Sequence, residues 1–411
     1  MRGNVMANSI VRVPLQDSSV PPSLTRADAG ERRLRQWGAW IILYLLLQSE
    51  LGLAWDRNWH DLVGRDSFWI PPHIMLYSGL GGAGIVTLCI ILIDSLRYAR
   101  HTPGVDDSST THIFWLFHAP LGFILMGFGA LTDLLAAPLD NYWHELYGID
   151  VTLWSPFHIM GTIGGVLAGI GSVFIFASEA AHERNHDGRR FLGLNGPEWG
   201  AVVLLAAFME LTLPALTAFT PVTIGSLSIA TYPLILVFAG SGCMGAVTRL
   251  THKRGTATIM ACVLWLECLL TQAFIPQALL FVVPRYGQTF RYADRLPHFN
   301  LTIALVPLLF LIGALIFDGI MYLQRNRQSL DTFRSLWLPG VIIALFAVIV
   351  PPAIAHLLIA TNAVYIQPDV MRVLTVGWGA QLVALLPAIV LSIGSAILGA
   401  FFGDIFYRSE I

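Results

Sequence analysis

The sequence predicts an all-α, polytopic membrane protein of about ten transmembrane helices, built at its start from duplicated helical hairpins. Composition is the first reason: 55% of residues are hydrophobic and only 12% charged, with a mean hydropathy of +0.66. A soluble chain of this length carries about twice that share of charge. The second reason is a series of apolar stretches, each on the order of 20 residues or longer, the length a helix needs to cross a bilayer. The third is a polar signature that occurs twice where such stretches end.

In chain order, residues 1–35 carry Arg2, Arg12, Arg26, Arg32, Arg33 and Arg35 among Ser, Pro and Asp, with no apolar core of a cleavable signal. They are expected to form a disordered cytoplasmic tail. Apolar stretches follow at 36–55, 71–93, 113–138, 154–181, 199–219, 229–247, 257–283, 301–323, 336–361 and 374–404. They need to be helices because lipid satisfies no backbone polar groups. Residues 36–182 thus read as a four-helix module and 199–404 as a six-helix module of unassigned role.

Basic residues give the orientation, since positive loops stay in the cytoplasm. Alternation from a cytoplasmic N-terminus places Arg97 and Arg100, Arg184 with Arg189 and Arg190, Arg249 with Lys253 and Arg254, and Arg325 with Arg327 and Arg334 inside. Both termini are then cytoplasmic, and the expected location is the plasma membrane. The segments 56–70 and 139–153 fall on the extracytoplasmic side.

The signature occupies those two segments and runs on into the helix that follows each. The first copy runs Asp56, Trp59, His60, Gly64, Asp66, Trp69, Pro71, His73; the second runs Asp140, Trp143, His144, Gly148, Asp150, Trp154, Pro156, His158. The copies match position for position up to one residue inserted before the second tryptophan. Asp and His four apart share a helix face, and a proline suits the first turn of the next helix. A hairpin therefore gathers Asp56, His60 and His73 at one end, and Asp140, His144 and His158 at the other copy's end. Two imidazoles with one carboxylate suit copper, zinc or non-haem iron, and leave a coordination position open. Interfacial Trp and His with helix-capping Asp would explain one copy, but they do not explain the same spacing twice. Asp66 and Asp150 lie within the signatures, while Glu50 and Asp133 lie upstream inside apolar spans, where a charge costs about 3 kcal/mol or more. These four are candidates to orient the histidines or to add ligands.

The pattern met by Asp56, Trp59, His60, Arg65, Asp66, Pro71 and His73 resembles the membrane-embedded C subunit of the particulate methane and ammonia monooxygenases. The resemblance covers about residues 36–180. In that family an Asp-His-His set binds metal, and an Asn-x3-His followed by a second His forms a neighbouring copper site. Asp140, His144 and His158 have the second set's spacing, with Asp140 where the family has Asn. The resemblance implies a copper-dependent oxidation of a small-molecule substrate with dioxygen, alongside partner subunits or a homo-oligomer in the lipid.

Other features point elsewhere. A non-enzymatic copper-binding or transport protein would use the same ligands; its usual methionine stripes are missing, the ten methionines being scattered. The run His182-Glu183-Arg184-Asn185-His186 fits the zinc-protease pattern, with Asp318 as a conceivable third ligand. However, Asp187-Gly188 ends that helix at once, which favours a solvated turn. Glu210, Glu267 and Pro297-His298 faintly echo the hairpins, and His356 suits helix packing. The cysteines Cys89, Cys243, Cys262 and Cys268 fall within spans and read as packing residues. No nucleotide loop or basic run outside the cytoplasmic loops suggests a nucleic-acid partner.

Overall fold

The computed structural model describes residues 26–64, 68–102, 110–113, 115–147, 155–184, 189–213, 221–292, 296–299, 307–324, 332–360 and 376–408. The fold is all-α. Its helices among these residues are α1 (Arg26–Leu62), α2 (Pro71–Ala99), α3 (Leu121–Tyr147), α4 (Pro156–Arg184), α5 (Gly196–Thr212), α6 (Tyr232–Thr251), α7 (Thr256–Val282), α8 (Pro307–Leu323), α9 (Thr332–Ala360) and α10 (Trp378–Arg408). Eight are long and apolar enough to cross a membrane, which fits a multi-pass membrane protein. Helices α5 and α8 have 17 residues each and are not among them. Among the described residues two short antiparallel ribbons, Thr110–Ile113 with Phe117–Pro120 and Val222–Ile224 with Leu227–Ile229, lie in connections. Large apolar side chains face outward from the bundle: Ile85, Leu88, Leu386 and Val390 are between 50% and 69% exposed. Such a surface needs lipid or protein against it.

Helix α1 starts earlier than hydropathy suggests, so residues 26–35 of the expected disordered tail are helical. The reason is electrostatic. Arg35 pairs with Glu31 one turn earlier and, at 3.0 Å, with Asp94 of α2, and so ties the polar start of α1 to the end of its neighbour.

The first four helices are two hairpins, α1 with α2 and α3 with α4. The duplication read in the polar signature extends into their packing. A Cβ on Gly79 would lie 2.5 Å from the Leu45 carbonyl oxygen and 2.8 Å from the Ser49 nitrogen. A Cβ on Gly164 would lie 2.8 Å from the Gly129 carbonyl oxygen and 2.7 Å from the Asp133 nitrogen. Leu45 and Gly129 precede their signature aspartates by the same interval, as do Ser49 and Asp133. Likewise Gly79 and Gly164 follow His73 and His158 equally. Both hairpins therefore cross at one register, with glycine letting the backbones touch.

The second half docks on this module through several helices, among them α10, whose Phe406 meets Phe174 of α4 edge-on at 5.4 Å. Helix α5 packs on α4, and α1 leans on both α5 and α7. Leu51, Trp55, Trp59 and Leu62 of α1 join Ile275, Leu279 and Val283 in one apolar cluster. Trp55 meets Phe274 edge-on at 5.7 Å, and Trp59 is fully buried. That stripe fixes the rotation of α1. Asp56 and His60, one position along from each tryptophan, are turned about 100° away from α7, toward α2. In the remaining half α6 and α10 pack closely through small residues: a Cβ on Gly245 would lie 2.3 Å from the Ala396 carbonyl oxygen, and Ser241 bonds Ser392 at 2.8 Å.

Candidate metal centres

Each hairpin carries one cluster at its connected end. Asp56 and His60 lie on the last two turns of α1, and His73 stands in the first turn of α2 after Pro71 and Pro72. Asp140 and His144 hold the equivalent places on α3, and His158 stands in the first turn of α4 after Pro156. Proline fixes φ near the helical value and needs no partner for a missing N–H, so each second helix starts where its histidine meets the Asp and His of the first.

The two clusters share one geometry. Asp56 Oδ1 lies 3.3 Å from His60 Nε2 and 3.0 Å from His73 Nε2. Asp140 Oδ2 lies 3.3 Å from both His144 Nε2 and His158 Nε2. The imidazole pairs stand with centroids 6.0 Å and 5.6 Å apart and planes inclined at 54° and 56°. Within each set the donor atoms lie within 4.8 Å of one another. Donors about 2.0–2.1 Å from one metal ion sit about 2.9–3.4 Å apart on adjacent vertices, so the carboxylate–imidazole spacings fit such an ion. They also fit hydrogen bonds, and the proton inventory narrows the choice at His73.

His73 Nδ1 lies 2.9 Å from the Phe68 carbonyl oxygen, which only accepts. With its proton at Nδ1, neutral His73 turns a lone pair at Nε2 toward Asp56 Oδ1. Two lone pairs 3.0 Å apart repel. Either a cation sits between them, or His73 carries a second proton. The arrangement is the one that orients metal-bound histidines, with the outer nitrogen donating to a backbone carbonyl.

Ser155 organises the second centre. Its hydroxyl donates to Asp140 Oδ1 at 3.2 Å and accepts from the His158 backbone N–H at 3.2 Å. One side chain thus caps α4 and holds the carboxylate. Ser155 stands outside the repeated signature, although Ser before Pro at the head of an apolar run is a capping signal. The first copy has Ile70 there, with no side-chain cap, and uses the Phe68 carbonyl instead. The open edges also differ. His60 is the more exposed imidazole of the first set at 35% against 11% for His73; in the second His158 is exposed at 39% against 5% for His144.

The remaining candidates scatter. Asp66 and Asp150 lie outside the described residues. Asp133 lies two turns before Asp140, against α4: its Oδ1 would lie 3.1 Å from a Cβ on Gly161. Glu50 feels the like charges of Glu210 on α5 and Glu267 on α7 rather than those of the histidine cluster. Of the protease-like run, His182 Nδ1 is 3.2 Å from the Ser178 carbonyl oxygen and Glu183 accepts from Gln36 at 3.4 Å; His186 lies outside the described residues. Asp318 accepts from the backbone N–H and hydroxyl of Thr258 at 2.8 and 2.7 Å. His298 Nδ1 is 3.1 Å from the Leu296 carbonyl oxygen, and His356 stacks near Trp378 at 6.0 Å.

No protein-family model, curated protein or solved structure matches this chain.

Proposed function

We propose that the chain is a ten-span plasma-membrane metalloprotein with both termini in the cytoplasm, whose two extracytoplasmic-side centres, Asp56-His60-His73 and Asp140-His144-His158, each bind one copper ion. The observation that carries the metal reading is His73. Its outer nitrogen faces a carbonyl and its inner nitrogen faces a carboxylate, a setting in which a bound cation satisfies every group. Two imidazoles and one carboxylate suit copper, and accommodate zinc or iron. The resemblance to the copper membrane monooxygenases selects copper and adds a use for the open positions: oxidation of a small substrate with dioxygen, together with partner subunits. Asp140 in place of Asn makes the second centre more anionic than its counterpart in that family, which favours the oxidised metal.

The ten-span count rests on the charge alternation of the loops and on α5 and α8, whose apolar sequence continues into residues outside their helical bounds. The test of the enzymatic reading is oxygen consumption by membranes containing the chain and its co-expressed partners. Substrate- and reductant-dependent uptake, abolished by His144→Ala, supports it. Stoichiometric copper binding without uptake contradicts it, and leaves a copper-handling protein using the same ligands.

A further inference from the structure

The chain folds back on itself just beyond the end of α4, one of the helices long and apolar enough to cross a membrane. Phe191 and Leu194 exchange backbone hydrogen bonds of 2.9 and 3.0 Å. The two residues between them, Leu192 at φ 49° and Gly193 at φ 80°, have the left-handed backbone of a tight hairpin turn, a place that usually takes Asn or Asp before Gly. Here apolar side chains stand at the tip instead: Phe191 is 68% exposed and Leu192 64%. Arg189 and Arg190 come directly before them and are exposed as well.

Arg189, Arg190, Phe191, Leu194, Gly196 and Trp199 line one open hollow of about 520 Å³. Trp199, in the first turn of α5, donates its indole N–H to the Phe191 carbonyl oxygen at 3.1 Å and lies beside the Phe191 ring, with centroids 5.6 Å apart. Trp40 of α1 borders the Gly196 side, its ring 3.7 Å from where a Cβ on Gly196 would stand. Among the described residues neither Arg189 nor Arg190 is paired with a carboxylate. The carboxylate beside Trp199, that of Glu198, is buried and held by Lys253. Two free cations next to aromatic rings at the end of a spanning helix match the charged headgroup and the interfacial region of an anionic phospholipid.

We propose that this hollow binds an anionic phospholipid: the guanidiniums of Arg189 and Arg190 take the headgroup phosphate, and Phe191, Leu192 and Trp199 take the start of the acyl chains. A planar guanidinium fits phosphate through paired N–H donors, and Trp favours the boundary between headgroup and hydrocarbon. The seated lipid braces α4 against α5 and α1, where the two halves of the chain meet. Its leaflet, cytoplasmic by the orientation proposed above, rests on that reading; the site itself does not.

The test uses the full chain in detergent micelles with a chelator present, so that neither the copper reading nor the orientation enters. Dioctanoyl phosphatidylglycerol and dioctanoyl phosphatidylcholine are titrated in parallel, and bound lipid is counted by native mass spectrometry. The expected result is one phosphatidylglycerol held at least about tenfold more tightly than phosphatidylcholine, a preference that Arg189→Gln with Arg190→Gln removes and that Arg189→Lys with Arg190→Lys keeps in part. Phosphatidylglycerol should raise the thermal midpoint of the parent but not of the glutamine variant. Arg254→Gln, in another basic loop, should leave the preference unchanged. Equal binding of the two lipids, an undiminished preference in the glutamine variant, or an equal loss in Arg254→Gln overturns the proposal. Displacement of the lipid by an equal concentration of inorganic phosphate also overturns it, and leaves a plain anion site.

Discussion

Asp56 Oδ1 and His73 Nε2 face each other at 3.0 Å across the α1–α2 hairpin, and neither helix holds that distance alone. Asp56 is aimed by the tryptophan stripe that seats α1 on α7. His73 is aimed by the paired prolines that start α2 and by the Phe68 carbonyl behind its ring. Fold and site are therefore coupled, and changes at residues outside the two triads should be felt at the centres.

One such change is at Ser155. Ser155→Ala removes the helix cap and the hydrogen bond to Asp140 together. Loss of such an orienting contact typically costs about 10–100-fold in metal affinity, and the cap about 1 kcal/mol of stability. Competition with a chelator should show the second centre weakened and the first unchanged. Equal weakening of both would contradict the assignment of Ser155 to one site.

Helix crossing gives a second prediction. Gly164→Ala puts a methyl 2.7 Å from the Asp133 nitrogen, forcing α3 and α4 apart at a cost of about 1–3 kcal/mol. The thermal midpoint should fall and the second centre should lose affinity, because His158 stands on the displaced helix. Gly169→Ala meets nothing within 4 Å and is the control that should leave both unchanged.

The all-α class and the convergence of Asp56 with His60 and His73, and of Asp140 with His144 and His158, were legible in the sequence because they depend on local quantities: run length, hydropathy, a four-residue spacing and a proline at a helix start. What was not legible depends on helix rotation. Glu50 was read as a companion of Asp56 from its distance along the chain, yet six residues is not a whole number of turns, and the Trp55–Trp59 stripe turns it toward Glu210 and Glu267. The Phe68 carbonyl has no side-chain signature at all. Likewise hydropathy could not show that polar residues 26–35 continue α1, since that extension rests on Arg35 reaching Asp94 in another helix.

Topology is tested by labelling. With Cys89, Cys243, Cys262 and Cys268 replaced by alanine, His101→Cys should react with a membrane-impermeant maleimide from the cytoplasmic side only, and Asn141→Cys from the outside only. Reaction of both from one side contradicts the orientation drawn from the basic loops.

The most direct measurement is metal content per chain in purified protein, paired with EPR of the copper-loaded form. The account predicts two copper ions in the parent protein with nitrogen hyperfine coupling, one in His60→Ala, one in His144→Ala and none in the double variant, since each hairpin supplies a whole ligand set. A parent protein that holds no copper after reconstitution, or two single variants that each retain both ions, would contradict it.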